Sequence, residues 1–325
     1  MLRYKEDRRT VAFILFFMLQ VIFGFVYFNV LPVWAKVALC LSICWFAFIN
    51  ATITHNTIHA PMFHSQWLNR LNQYFISVAY GHPVSSFVRG HNLSHHFNTQ
   101  TPKDTMRTTK ARFGWNLLNQ LLFFFVVVLD VERMNKVYVR HMKTTNPTWY
   151  AQYQQEQWVV WLSYLAMAGL GYLCGLSVWG FVQAFLLFYM IPRLFGLWAI
   201  TGMNYFQHDG CDENHPYNHS RNFVGRWTNW WMFNNGFHGI HHQYPGLHWS
   251  RLPARHAKEY APHIHPALDQ QSLLLYAWRA YIYPGRRLTY DGKPYTPPPA
   301  GEDIDWIPSP KETPKGASLG AVGSA

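Results

Sequence analysis

Charge is scarce in this chain. Asp, Glu, Lys and Arg make up 13% of its 325 residues, about half the share of roughly 25% usual in soluble domains. The length alone would allow two soluble domains, but so little charge argues against them. Cysteine is nearly absent too: Cys40, Cys44, Cys174 and Cys211 form no CxxC, which excludes a ferredoxin-type cluster and gives no sign of a disulfide framework. The chain carries no glycine fingerprint for a nicotinamide or flavin cofactor and no HPGG haem segment. Its net charge of +11 is scattered and accompanied by no nucleic-acid motif. Attraction to anionic lipid head groups, not nucleic acid, accounts for that charge.

Long apolar runs and aromatics, 18% of the chain, take the place of charge. Behind Arg3, Lys5, Arg8 and Arg9 an apolar run begins at Val11. It is too long for a signal-peptide core and has no small-residue cleavage site after it, so a retained transmembrane helix is expected. Spans are read at about 11–30, 33–53, 158–176 and 181–203, as two hairpins turning at Leu31-Pro32 and at Ser177 to Gly180. Pro192 and Arg193 mark where the last helix leaves the hydrocarbon, with Arg193 expected to snorkel to the interface. Two further apolar stretches, Leu71 to Val88 and Phe113 to Leu129, are expected to lie along the interface. Were either to cross, the histidine clusters described next would fall on opposite sides of the membrane.

Nine histidines form four clusters: HNTIH (His55, His59), HNLSHH (His91, His95, His96), NYFQH (His208) and HGIHH (His238, His241, His242). Repeats at i, i+3 and i+4 place imidazoles on one face of a helix, as metal ligands need. Among 18 histidines one such pair would carry little weight, but three clusters, two with an adjacent HH, exceed what composition supplies. Nine imidazoles are too many for one ion, so two metals are implied. Zinc, copper, iron and nickel all accept imidazole, and ligand type does not choose among them.

These clusters resemble the three boxes of the membrane fatty acid desaturase superfamily, HxxxH, HxxxHH and HxxHH. HHQYPGLHWSRLP from His241 to Pro253 is similar to the continuation of the third box. Asn204, four residues before His208, resembles an asparagine of the acyl-CoA branch that reaches one iron through water. The resemblance implies two irons per chain, held by His55, His59, His91, His95, His96, His208, His238, His241 and His242. Together with the spans read above, this makes the expected fold an all-α membrane protein: four transmembrane helices in two hairpins, interfacial helices, and a cytoplasmic histidine-rich di-iron domain. The membrane-embedded domain is placed at 1–265 and a C-terminal amphipathic helix and extension at 266–296, the helix itself at Leu268 to Tyr283. The tail at 297–325, rich in Pro, Gly, Ala and Ser, is expected to be disordered. The positive-inside rule sets the termini and histidine clusters on the cytoplasmic face of a bacterial inner membrane or the endoplasmic reticulum.

The implied reaction introduces a double bond into a fatty acyl or lipid alkyl chain, with O2 and two electrons from a separate donor of ferredoxin, rubredoxin or cytochrome b5 type. Asn56 stands where many desaturases carry an acid, and HNLSHH followed by TPKD, with NYFQHDG, is also similar to the membrane alkane monooxygenases. A hydroxylase or ketolase acting on an alkyl chain or isoprenoid is therefore the alternative. A non-enzymatic haem or metal carrier is a remote third reading, disfavoured because all nine histidines lie beyond the span ends. Asp104 and Asp209, and also Asp212 and Glu213, are candidates to steady the imidazoles by accepting their outer N–H. His64, His82, His215, His219 and His248 fall outside the box spacings and are read as ordinary histidines.

Overall fold

The computed structural model describes residues 1–299 and 301–307, almost all of the regular structure being helical. The sequence-assigned tail beyond residue 307 lies outside the described residues. Two compact units emerge, Met1–Ser86 with Asn146–Ile200, and Phe87–Thr145 with the chain from Thr201. The principal helices are α1 (Asp7–Val26), α2 (Val33–His59), α3 (Gln66–Tyr80), α4 (Asn116–Thr145), α5 (Pro147–Leu173), α6 (Val178–His208), α7 (His238–Gln243) and α8 (Leu273–Ala277). Three of them, α1, α2 and α6, are long and apolar enough to cross a membrane.

In the first unit, Thr10 donates to Asp7 in the opening turn of α1, where a carboxylate also complements the helix dipole. Pro32 immediately precedes α2, its missing N–H costing nothing there. The two helices pack through Phe16 and Phe46, rings 4.8 Å apart, and Ser42 donates to Gln20 across the hairpin. In hydrocarbon such a polar pair must be satisfied internally. Leu15, Leu19 and Leu41 face outward, an apolar surface suited to acyl chains rather than water.

The expected span at 158–176 falls largely within α5. Asn146 caps that helix through the Trp149 amide, and Pro147 occupies its first position. Its first half is polar and buries Gln152 and Glu156. The Glu156 carboxylate accepts from the Ser85 amide and hydroxyl and from Gln152. That polar half keeps the whole helix outside the set apolar enough to cross by composition.

Arg193 corrects the sequence expectation. Instead of snorkelling it is buried, donating to the carbonyls of Val78 and Tyr189 and stacking on the Tyr189 ring at 3.2 Å. Gly81, at φ +86°, ends α3 beside it, and a side chain there would overlap the Arg193 stem. Only glycine serves at such a left-handed, crowded position.

In the second unit α4 runs to Thr145, well past the apolar stretch that predicted it. Val127, Met134, Tyr138 and Met142 are buried along one face, a helical repeat inside a stretch that reads as polar. The all-α expectation misses one short parallel pair, Asn222–Phe223 with Asp269–Gln270. That pair also shortens the expected helix at Leu268 to Tyr283: α8 begins only at Leu273 and continues through Trp278–Ile282. Among the described residues, one core of the unit lies around Phe123, Tyr205 and Tyr281 and another around Phe237, Ile240, Tyr260 and Leu268.

Candidate metal centre

The second cluster does not lie on an ordinary α-helix. Val88–His95 is a π-helical segment, and its wider turn aligns residues five apart rather than four. His91 therefore meets His96, Nε2 to Nε2 at 3.1 Å. The His95 ring stacks on that of His91, centres 5.5 Å apart, so the expected common face holds, but its nitrogen belongs to the other group of ligands. In α7 the usual i, i+4 spacing holds, and His238 and His242 approach to 3.1 Å. Each adjacent HH thus divides its two rings between two groups.

One group is His95, His208, His238 and His242, and in the other His91, His96 and His241 come together; within each, the ligand nitrogens lie within 4.8 Å of one another. In the first, the Nε2 atoms of His95 and His208 stand 3.1 Å apart, and those of His208 and His238 2.8 Å. Two nitrogens about 2.1 Å from one ion and at right angles stand about 3.0 Å apart. The outer nitrogens identify the tautomers. His95 Nδ1 lies 3.0 Å from the buried Asp104 carboxylate, and His208 Nδ1 lies 3.0 Å from the His219 carbonyl. Neither oxygen can donate, so each Nδ1 carries the proton and each Nε2 presents a lone pair inward. Lone pairs facing each other at 3.1 Å repel unless a cation sits between them, and this donor set fits a metal.

Burial, then the neighbouring His96, His238 and His95, hold His242 well below the usual imidazole range. Desolvation of the half-buried His219, with the nearby His95 and His215, lowers its pKa to about 4. Both are neutral at physiological pH, the form in which imidazole ligates.

His55 and His59 occupy the last two turns of α2 in the first unit, buried, with ring centres 5.2 Å apart. Asn204, one turn before His208, donates to the Met106 carbonyl at 3.2 Å. The two aspartates separate. Asp104 accepts from His95 and from the amides of Gln100 and Met106, whereas Asp209 is ion-paired with Arg287. Contacts that spacing could not show include the His219 carbonyl behind His208 and Asn222, whose side-chain oxygen receives the Gly239 amide at 2.8 Å. Residues 301–307, assigned by sequence to the disordered tail, are tied down here. Arg107 joins the Asp104 carbonyl to Asp303 and Gly301, and Lys110 also reaches Asp303.

Residues 32–272 match the pattern of the fatty acid desaturase family. The chain belongs to that family. It is a desaturase-like oxidoreductase and a membrane protein, and its two histidine groups are the parts suited to metal. No curated protein compared with this desaturase family member matches it.

Gly239 lies between the first two ligand candidates of the third box, where an added methyl would overlap the buried Tyr260 hydroxyl. Gly239→Ala is expected to destabilise the protein by about 1–3 kcal/mol through overpacking and to lower metal retention by tilting α7. A thermal scan with metal analysis reads both effects; unchanged values would show that Tyr260 yields freely.

Proposed function

We propose that the chain is a di-iron oxidoreductase that introduces a double bond into a fatty acyl or lipid alkyl chain, using O2 and two electrons from a separate donor of ferredoxin, rubredoxin or cytochrome b5 type. The observation that carries the reading is the convergence of the Nε2 atoms of His95, His208, His238 and His242, with the lone pairs of His95 and His208 turned inward. His55 and His59 are proposed to join His91, His96 and His241 in holding the second iron, completing nine ligands, with Asn204 contacting one iron through water. The reduced iron pair supplies the O2 chemistry that removes hydrogen from an unactivated methylene.

The polypeptide's share is orientation and exclusion of water. Asp104 and the His219 carbonyl hold the outer N–H of His95 and His208, fixing ring angle and tautomer. Burial keeps His242 neutral. We further propose four spans, α5 supplying one, with the termini and all nine histidines on the cytoplasmic face, and a catalytic domain at 1–265 followed by the extension at 266–296.

Iron content together with product mass, on lipids from cells expressing the protein, tests the reading. Two irons per chain and products lighter by two hydrogens are expected. Products heavier by one oxygen would make it the hydroxylase or ketolase, and a chain without iron would sink the metal assignment.

A further inference from the structure

Away from the histidines, the second unit contains a cavity of about 640 Å³ beneath the C-terminal helix, a size suited to a small ligand or head group. Arg221, Arg279 and Arg286 line it together with Tyr276 and Tyr283, and its single carboxylate belongs to Asp209. That acid is already neutralised, being ion-paired with Arg287, which is not part of the lining. Arg221 stacks on Tyr276 at 4.5 Å and donates to the Phe206 and Asp209 carbonyls. Arg279 and Arg286 are exposed and have no carboxylate partner among the described residues. The cavity is thus strongly cationic, with aromatic walls.

Its outer edge is apolar. Leu274, Trp278 and Ile282 recur every four residues and are 82%, 55% and 47% exposed, with Leu275 and Tyr283 beside them. Leucines and isoleucine with Trp and Tyr, flanked by arginine, make up the side-chain set of a segment lying in a membrane interface. A protein partner or a second copy would also cover apolar residues. The two uncompensated arginines favour a surface that presents phosphate, which a bilayer does at the depth where Trp and Tyr settle.

We infer that the segment from Leu273 to Tyr283 rests in the head-group layer, and that the cavity behind it binds the phosphate of an anionic phospholipid through Arg279, Arg286 and Arg221. The lipid is a bound structural ligand, separate from any chain being oxidised. The assignment requires only that the protein sits in a membrane and does not depend on the metal chemistry.

The test uses the full chain in nanodiscs of phosphatidylcholine with and without phosphatidylglycerol, reading the lipid retained by native mass spectrometry. Selective retention of phosphatidylglycerol is expected, falling about 10- to 30-fold in Arg279→Gln/Arg286→Gln if each arginine contributes as a basic residue near an anionic surface does. Lys136→Gln/Arg140→Gln, removing two exposed cations of α4, should leave retention unchanged, and circular dichroism should show equal helicity in all three proteins. Equal retention of the two lipids, or no change in the first double variant, would overturn the inference. Displacement of the lipid by inorganic phosphate would make free phosphate the ligand. Slower donor-driven turnover with unaltered lipid retention would make the patch a protein dock, and either result defeats the lipid assignment.

Discussion

His95→Ala and His241→Ala each abolish turnover, by more than about 100-fold, while the protein still inserts in the membrane and keeps its helicity. The bound comes from the roughly 10- to 100-fold cost of losing even the outer partner of a ligand; removing the ligand itself costs more. The pair samples both groups, His95 from the four-histidine set and His241 from the set with His91 and His96. Both side chains are buried, so alanine leaves a small void and some lost stability. Neither lies in a helix apolar enough to cross the membrane, so insertion is unaffected. Metal per chain, product yield and membrane-fraction abundance read the three parts separately. Full activity in either variant would remove that residue from the ligand set.

Asp104→Asn is expected to weaken metal retention about 10- to 100-fold. The Asp104 carboxylate is fully buried and only accepts: one oxygen takes the His95 Nδ1–H and the Gln100 amide, the other the Met106 amide. Asparagine turns one of those acceptors into an NH2 donor. If the NH2 faces Met106, two donors collide and the loop shifts. If it faces His95, Nδ1 must accept, the ring proton moves to Nε2, and the inward lone pair is lost. Asp209→Asn is the control, since that acid serves Arg287 and the C-terminal packing. It is expected to lower thermal stability while metal retention against a chelator stays near wild type. Equal metal loss in both variants would show that Asp104 acts through general stability and not through His95.

The helix that carries Asp104's partner shows where linear reading stops. HNLSHH invites pairing at i, i+4, and the His91 and His95 rings do stack, but the chain winds Val88–His95 as a π-helix, so the His91 nitrogen meets His96 and His95 serves the other group. No residue type in the motif announces that turn; it becomes visible once the second and third boxes face each other. Arg193 departs from expectation for a related reason. An arginine at a span end reads as interfacial, yet the carbonyls of Val78 and Tyr189 satisfy it in the interior.

α4 was underestimated because buried Met134, Tyr138 and Met142 sit among charged neighbours, and a sparse repeat is hidden by average polarity. At the start of the tail, composition and contacts diverge. Proline and glycine at 297–301 suggest flexibility, but Asp303 and Asp305 find Arg107, Lys110 and Arg133.

By itself the sequence determined the family, the helical class, the apolar spans of α1, α2 and α6, and the histidines available to a metal. Those features are written in local hydropathy and in side-chain identity at short spacing, which need no partner to be read. Tertiary structure alone decided which histidines share a group, which aspartate steadies an imidazole, where Arg193 is buried and what faces the cationic cavity. Each of these depends on groups distant in sequence, such as His95 with His208 and Asp209 with Arg287. Burial makes those pairings obligatory, because an enclosed donor or charge must find a partner wherever the fold supplies one.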